Sequence, residues 1–277
     1  AKAPSGGSAA HAVASVGAIQ AAIAASLPDF TVEVLPEIDS TNTELMRRAR
    51  AGRMAPVLLV AQQQTAGRGR LGRQWQSQVG ASLTFSLGLP LAPPDWSGLS
   101  LAVGVSVAES LHPDVRLKWP NDLWLSDARG ERKLAGILIE TASFGELRYA
   151  VIGVGLNIMP RDALGLSTPP AWLQELLPGV DAPQALARVV APLVQTLQAF
   201  EALGFAPFQA RFDARDVLRD RDVSVNDGQG GMLRGSAHGV TGTGALLVHT
   251  AAGMQQITSS EVTVRPLHAR ADPPSPA

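Results

Sequence analysis

Apolar residues recur at helical spacing over residues 13–27, where Pro28 stops them, and alternate with polar ones over 31–35. The chain therefore opens with a predicted edge helix and a short strand. Thr41-Asn42-Thr43-Glu44 has a capping-box pattern ahead of a helix to about residue 51, closed by Gly52. The aliphatic run 56–62 predicts a buried strand, followed by a glycine- and arginine-rich loop over 64–75. Alternation over 81–89 predicts a strand, and an apolar helical face over 99–111 predicts a helix. Segments 115–119 and 123–125 flank the turn residues Pro120-Asn121-Asp122. Segments 133–141 and 148–158 read as two more strands, the second so continuously apolar that it belongs at the centre of a sheet.

From residue 170 to 212 the pattern turns helical, with Leu186, Val189, Val190, Leu193, Val194 and Leu197 on one stripe expected to cover the sheet. After about residue 218 it changes again, to short strands at 223–225, 232–240, 245–250, 254–258 and 262–264 with Gly-rich turns between them. So many strands in so short a span predict a small barrel. Residues 1–14 read as a disordered leader and 269–277, rich in Pro and Ala, as an unordered tail. No internal repeat is visible.

Composition narrows the classes. The chain has 277 residues, 45% hydrophobic and 17% charged, with net charge −1: globular, with room for a large domain and a small one. With no cysteine there is no disulfide scaffold, thiolate metal site or cysteine nucleophile, and a reducing cytoplasm is the expected setting. No apolar run approaches the roughly 20 residues that span a bilayer, and the start lacks the basic flank and apolar segment of a secretory signal. The five histidines are scattered at no metal-binding spacing. Of 23 cations only Lys2, Lys118 and Lys133 are lysine. The two interior lysines stand out because Lys offers a compact mobile charge where Arg offers a rigid fork.

Five segments carry chemistry. In Gln64-Thr65-Ala66-Gly67-Arg68-Gly69-Arg70-Leu71-Gly72-Arg73-Gln74-Trp75, glycines let backbone N–H groups approach an anion while the arginines add forked donors. Residues 45–94 hold seven arginines and no acid, which predicts a local positive field. The bland alternative is a solvated arginine-glycine nucleic-acid arm, although such arms are repetitive and terminal whereas this loop is single and embedded. Lys118-Trp119-Pro120-Asn121-Asp122 gathers a cation, an amide and a carboxylate at a rigid turn, though such a turn is also common loop chemistry. Lys133-Leu134-Ala135-Gly136 opens a strand with the second interior lysine, usually just a solvated position, and small residues that admit a ligand. Capping alone accounts for Asp39-Ser40-Thr41-Asn42; the functional reading is a polar pocket for a neutral hydrogen-bonding group. Gly153-Val154-Gly155-Leu156-Asn157 lacks the third glycine of a dinucleotide loop and reads as a strand end, with Asn157 a candidate polar contact.

In this order and spacing the five segments resemble the biotin protein ligases, which activate biotin with ATP and attach it to a carrier lysine. The resemblance is specific over residues 37–157 and weaker to 265. It implies an α/β (α+β) catalytic domain of the class II aminoacyl-tRNA synthetase type over 37–217, preceded by the leader and edge helix (1–36) and followed by an SH3-like β-barrel (218–268) and the tail. Carried over position by position, Ser40, Thr41, Asn42 and Gln64 would hold the biotin head, Gly67 and Gly136 would admit it, and Trp75 would form the wall. Arg68, Gly69 and Arg70 would close over the biotin carboxylate and the ATP phosphates. Lys133 would stand beside carboxylate and α-phosphate, and Arg73 near the phosphates. Lys118, Asn121, Asn157 and Trp172 fall on the nucleotide side. Asp122 is the nominated orienter or proton acceptor. Implied ligands are ATP, Mg²⁺ and biotin; the implied partner is a biotin carboxyl carrier protein, with no membrane. Repressor members carry an N-terminal winged helix of some 60 residues, whereas about 36 residues precede the similarity here, so DNA binding is not expected. A homodimer is left open. Ser260 stands where the family usually has glycine. The rival readings are a lipoate ligase of the same fold and an RNA-binding module, the latter disfavoured by a single Tyr.

Overall fold

The computed structural model describes residues 7–258 and 263–267. Elements run in the order α1 (Gly7–Ala24), β1 (Thr31–Ile38), α2 (Thr41–Arg50), β2 (Val57–Gln64), β3 (Ser82–Pro90), α3 (Leu99–Leu111), β4 (Arg116–Lys118) and β5 (Asp122–Asp127). There follow β6 (Gly130–Phe144), β7 (Leu147–Asn157), α4 (Ala182–Leu203), α5 (Gln209–Asp213), β8 (Asp222–Asn226), β9 (Met232–Val240), β10 (Leu246–Thr250), β11 (Gly253–Ile257) and β12 (Thr263–Pro266). It is a mixed α/β fold with two sheets. None of the described helices is long and apolar enough to cross a membrane.

The chain divides into two compact units, the first comprising Ala1–Ala92, Ile137–Arg161 and Trp172–Gln198, the second the remainder. In the first, β1 and β2 pair in parallel across the α2 crossover, as a βαβ unit requires, and β2–β3 and β3–β7 pair antiparallel, with β6 beside β7. The expectation that 148–158 is central holds: seven consecutive residues from Ala150 to Leu156 lie inside, and β7 is flanked on both sides. Helix α2 packs Leu45, Met46 and Ala49 against Val57, Leu59, Tyr149 and Val151. Burying such residues is worth about 1.5–3 kcal/mol each, and this contact sets where the helix start points.

In the second unit β4 and β5 form a hairpin and β5 pairs with β6, with a bulge between Leu123 and Trp124. Helix α3 is buried on nearly all faces and begins after Gly98, whose φ of 83° suits glycine. Five short strands form the order β11-β10-β9-β8-β12, matching the expected count. Among the described residues no pairing joins β11 to β12, so the predicted barrel appears as an open sheet. Trp119 is buried and donates its indole N–H to the Gly244 carbonyl at 3.0 Å, tying the 118–122 turn to this sheet.

Three expectations are corrected. Helix α1 begins at Gly7, inside the stretch read as a disordered leader. Residues 170–181 are not a long helix: Lys133 N–H donates to Pro169 and Ala171 N–H to Lys133, bridge-like bonds that hold 169–171 extended, a 3-10 turn follows at Leu173–Glu175, and α4 starts only at Ala182. The capping oxygen of α2 is that of Ser40, which accepts from Thr43 N–H at 3.2 Å, one residue before the box read from sequence. The helical stripe of α4 is buried as expected. Residues 1–6, Ser260, Val262 and the tail lie outside the described residues.

Asp216 is buried beside Leu117, with one carboxylate oxygen accepting from Leu218 N–H and the other without a hydrogen-bond partner among the described residues. Burial, with Asp213 and Asp220 nearby, pushes its pKa up from 3.8 to about 7. A raised folded-state pKa means the stability this group contributes is complete below pH 3.8 and is lost as pH rises towards 7, by about 2–4 kcal/mol in all. Asp216→Asn keeps the Leu218 bond, so denaturant midpoints should rise at pH 8 and match the parent near pH 4. An equal shift at both pH values would show that the carboxylate charge is not the cause.

Candidate active site

The first unit holds a buried row of neutral polar side chains where α2 starts against β3 and β7. The Gln64 side-chain carbonyl accepts from Thr41 N–H at 2.8 Å and the Thr41 hydroxyl at 3.2 Å. The Ser86 hydroxyl lies 2.7 Å from the Thr41 hydroxyl and 2.5 Å from Asn42 Oδ1, and its single proton can be donated to only one of them. Asn42 donates its amide to the Leu138 carbonyl at 3.1 Å and to Glu140 at 3.2 Å. Ser40, Thr41, Asn42 and Ser86 are all buried.

Strand register explains what lines the sheet face beneath this row. Ser82, Thr84 and Ser86 on β3 stand opposite Asn157, Gly155 and Gly153 on β7. Alternate residues share a face, so two adjacent strands present three small hydroxyls, two glycines and one amide. A Cβ on Gly153 would run into Asn42 Oδ1, and one on Gly155 into the Trp75 ring. These glycines make room for the two side chains rather than cradling phosphates. The Thr84 hydroxyl on the same face is buried with no hydrogen-bond partner among the described residues.

The glycine- and arginine-rich loop folds as a small hairpin. Arg68 pairs with Gln74, Gly69 N–H donates to Arg73, and Trp75 N–H donates to Gly67. Leu71 at its tip has φ 57°, left-handed for a residue with a branched side chain. The expectation that glycine N–H groups of the loop approach an anion is therefore corrected for Gly69, whose N–H donates within the loop to Arg73. Arg68 is likewise engaged, its guanidinium bonded twice to Glu140 at 2.9 and 3.0 Å and once to the Thr43 hydroxyl. The positive field read over 45–94 is reduced by acids outside that stretch: Arg47 pairs with Asp39 and Glu44, and Arg48 with Glu33. The Arg48 guanidinium holds Glu33 below the usual carboxylate range. Burial raises the Asp39 carboxyl, but the Ser40 N–H and Arg47 outweigh it and leave it lowered.

Arg161, missed in sequence, stands 5.8 Å over the Trp75 ring and donates to Asn157 Oδ1 at 2.9 Å. No carboxylate pairs with it among the described residues, and burial lowers its pKa. Asn157 is buried.

The second unit holds the two interior lysines. Lys133 Nζ lies 3.0 Å from Asp122 Oδ1, and Lys118 Nζ lies 5.3 Å over the Trp124 ring. Gly136 is the strand partner of Asp122. Asn121 is half-buried in the turn, and Trp172 heads a short 3-10 turn (Leu173–Glu175) in the first unit. Among the described residues no group of three or more His, Asp or Glu could hold a metal ion.

A closed row of neutral donors and acceptors, with lysines held by partners elsewhere in the chain, is the equipment of a small-molecule-activating enzyme rather than of a nucleic-acid arm. Residues 34–157 match the model of the biotin/lipoate A/B protein ligase family, and 220–265 that of the biotin protein ligase C-terminal domain. The chain is 36% identical over 252 residues to the bifunctional ligase/repressor BirA of Salmonella typhimurium, covering 88% of this chain and 77% of that one. To the biotin--[acetyl-CoA-carboxylase] ligase of Paracoccus denitrificans it is 30% identical, covering 83% and 98%. The solved biotin protein ligase of Aquifex aeolicus, in complex with biotin and ATP, superposes with a TM-score of 0.70 at 29% identity, over 85% of this chain and 98% of that chain. The chain belongs to the biotin protein ligase family.

Gly155→Ala should cost about 1–3 kcal/mol through overpacking against Trp75. Denaturant titration together with the Trp75 indole resonance checks this. An unmoved resonance with an unchanged midpoint would remove the clearance role of that glycine.

Proposed function

We infer that the protein is an ATP-dependent biotin ligase that forms biotinyl-5′-AMP and transfers biotin to a lysine of a carboxyl carrier protein. The observation that carries the reading is the buried neutral row Gln64–Thr41–Ser86–Asn42 on a glycine-cleared sheet face, in a chain whose relatives are named for biotin ligation. Biotin's head is neutral and rich in hydrogen-bonding groups, so hydroxyls and amides recognise it without a buried charge. Ser40, Thr41, Asn42 and Gln64, joined by Ser86 and Thr84, are assigned to that head, with Gly67 and Gly136 leaving space and Trp75 as wall.

The first step joins two anions. A carboxylate oxygen of biotin attacks the α-phosphorus, the bond to the β-phosphate breaks, and pyrophosphate leaves. One positive charge at about 4 Å offsets on the order of 4 kcal/mol of that repulsion at the dielectric of a protein surface. Lys133 is assigned to this place, with Gly69 and Arg70 over the carboxylate, and Arg73 near the phosphates. Lys118, Asn121, Asn157 and Trp172 are assigned to the nucleotide, and we add Arg161 to them. Of the two roles open to Asp122, its ion pair with Lys133 fits the orienter. In the second step the carrier amine attacks the activated carbonyl and AMP leaves. A Mg²⁺ ion is expected with ATP, yet the described residues build no cage for it, and Mg²⁺ commonly rides on substrate phosphates with one or two carboxylates. We also assign the catalytic part to the class II aminoacyl-tRNA synthetase type and the five-stranded sheet to an SH3-like barrel.

The deciding experiment is the intact mass of a biotin carrier domain after incubation with the protein, biotin, ATP and magnesium. One added biotinyl group is expected, and an unchanged mass with active protein would end the reading. Lys133→Ala should slow adenylate formation by about 10²–10³-fold, while Asp122→Asn should cost less. Pyrophosphate release under single-turnover conditions measures both, and an undiminished rate in Lys133→Ala would overturn the charge argument.

A further inference from the structure

We propose that Glu140 is a positioning residue whose carboxylate clasps the glycine- and arginine-rich loop to the start of α2, and that the Arg68 side chain serves this clasp instead of an anionic substrate. The inference rests on the ligase reading and revises the place over the biotin carboxylate that the family resemblance implies for Arg68. Glu140 lies on β6, seven residues beyond Lys133. Its two oxygens receive both terminal nitrogens of Arg68, at 2.9 and 3.0 Å, and the first oxygen also accepts from Asn42 Nδ2 at 3.2 Å. Arg68 completes the junction through the Thr43 hydroxyl at 3.2 Å. One carboxylate thus joins the loop, the helix start and the neutral row of which Asn42 is a member.

Chemistry favours support over ligation. A fork-on-fork pair fixes direction as well as distance, and it uses the two Arg68 nitrogens that a carboxylate or phosphate would also seek. Turning Arg68 to a substrate anion would leave Glu140 with two donors fewer beside a second negative charge. The loop's own bonds set its hairpin shape, and Thr65 and Ala66 N–H groups, donating to Ile38 and Asp39, fix its entry. The Glu140 pair fixes the side of the hairpin that those bonds leave unattached. Both partners are partly exposed, so the pair adds little to global stability, and its effect belongs to placement of the loop.

The test uses Glu140→Gln, Glu140→Ala, Arg68→Glu and the swapped double variant Arg68→Glu/Glu140→Arg in the full chain. With biotin and ATP, the rate at which radiolabelled biotinyl-adenylate leaves the enzyme should rise about tenfold in Glu140→Ala and less in Glu140→Gln, which keeps an acceptor for Asn42. The KM for biotin should rise in parallel and the KM for ATP should stay near that of the parent. The swapped variant should restore most of the retention that Arg68→Glu alone loses. Retention at the parent level in Glu140→Ala, or a swapped variant as leaky as Arg68→Glu, would overturn the clasp. Hydrogen exchange of residues 67–75 in the protein without substrates separates this outcome from failure of the ligase reading. Faster exchange in Glu140→Ala, reversed by the swap, supports the clasp even in a chain that forms no adenylate, and unchanged exchange rejects it.

Discussion

Strand β7 can stand at the middle of its sheet and still border a polar site because two of its residues have no side chain. Gly153 and Gly155 share a face with Asn157, and the volume that two Cβ atoms would fill is occupied by Asn42 and the Trp75 ring. Those two side chains come from α2 and from the loop, elements 33 residues apart in the chain, and the bare face of β7 is where both are received. The strand opposite answers with Ser82, Thr84 and Ser86 in register. Any larger residue on this face would displace the helix start, the loop end or both, so the hydroxyl row and its wall exist on condition that β7 stays bare there.

This constraint accounts for what the sequence revealed and what it hid. The Gly-x-Gly-x-Asn spacing is visible in the chain, but its two obvious readings were a phosphate loop and a strand end; clearance for Asn42 and Trp75 is a tertiary fact. Ser86 and Thr84 were unreadable for a related reason, since an alternating Ser-Leu-Thr-Phe-Ser strand looks like any half-exposed strand until both of its faces prove to be buried. The elements themselves were legible: α3 has the predicted bounds, β7 is central, and the five C-terminal strands fall where the turns placed them. The α1 boundary was missed because Ala, Ser and Gly carry no amphipathic signal. The start of the segment 170–181 departs from the helical pattern because it bonds through its backbone to Lys133, nearly forty residues upstream, and only a 3-10 turn follows before α4.

Charge was the quantity least legible from a window of sequence. Seven arginines without an acid suggest a field, yet Glu33, Asp39, Glu44 and, far along the chain, Glu140 lie outside the window and engage Arg47, Arg48 and Arg68. Close ion pairs cancel most of a field at distances beyond about a Debye length, so what remains is a set of directed contacts rather than a diffuse attraction. Arg161 illustrates the converse. A lone arginine in a loop looks incidental in sequence, but folding sets it above Trp75 and beside Asn157 with no carboxylate among the described residues, and burial makes its charge costly to keep.

The scarcity of lysine follows from the same division. A guanidinium whose fork is matched to a carboxylate, as Arg68 is to Glu140, is a fastening, because moving it breaks two aligned bonds together. An ammonium has three donors on a rotatable stem, so a lysine can keep its acid and turn another proton towards an arriving anion. Lys133 Nζ lies 3.0 Å from Asp122 Oδ1, and its backbone is held on both sides by Pro169 and Ala171. A fixed main chain under a rotatable stem gives placement without a rigid fork at the charge. A chain that writes arginine nearly everywhere would lose that property by writing it at 133, since the larger, planar head would meet Asp122 as Arg68 meets Glu140 and hold it.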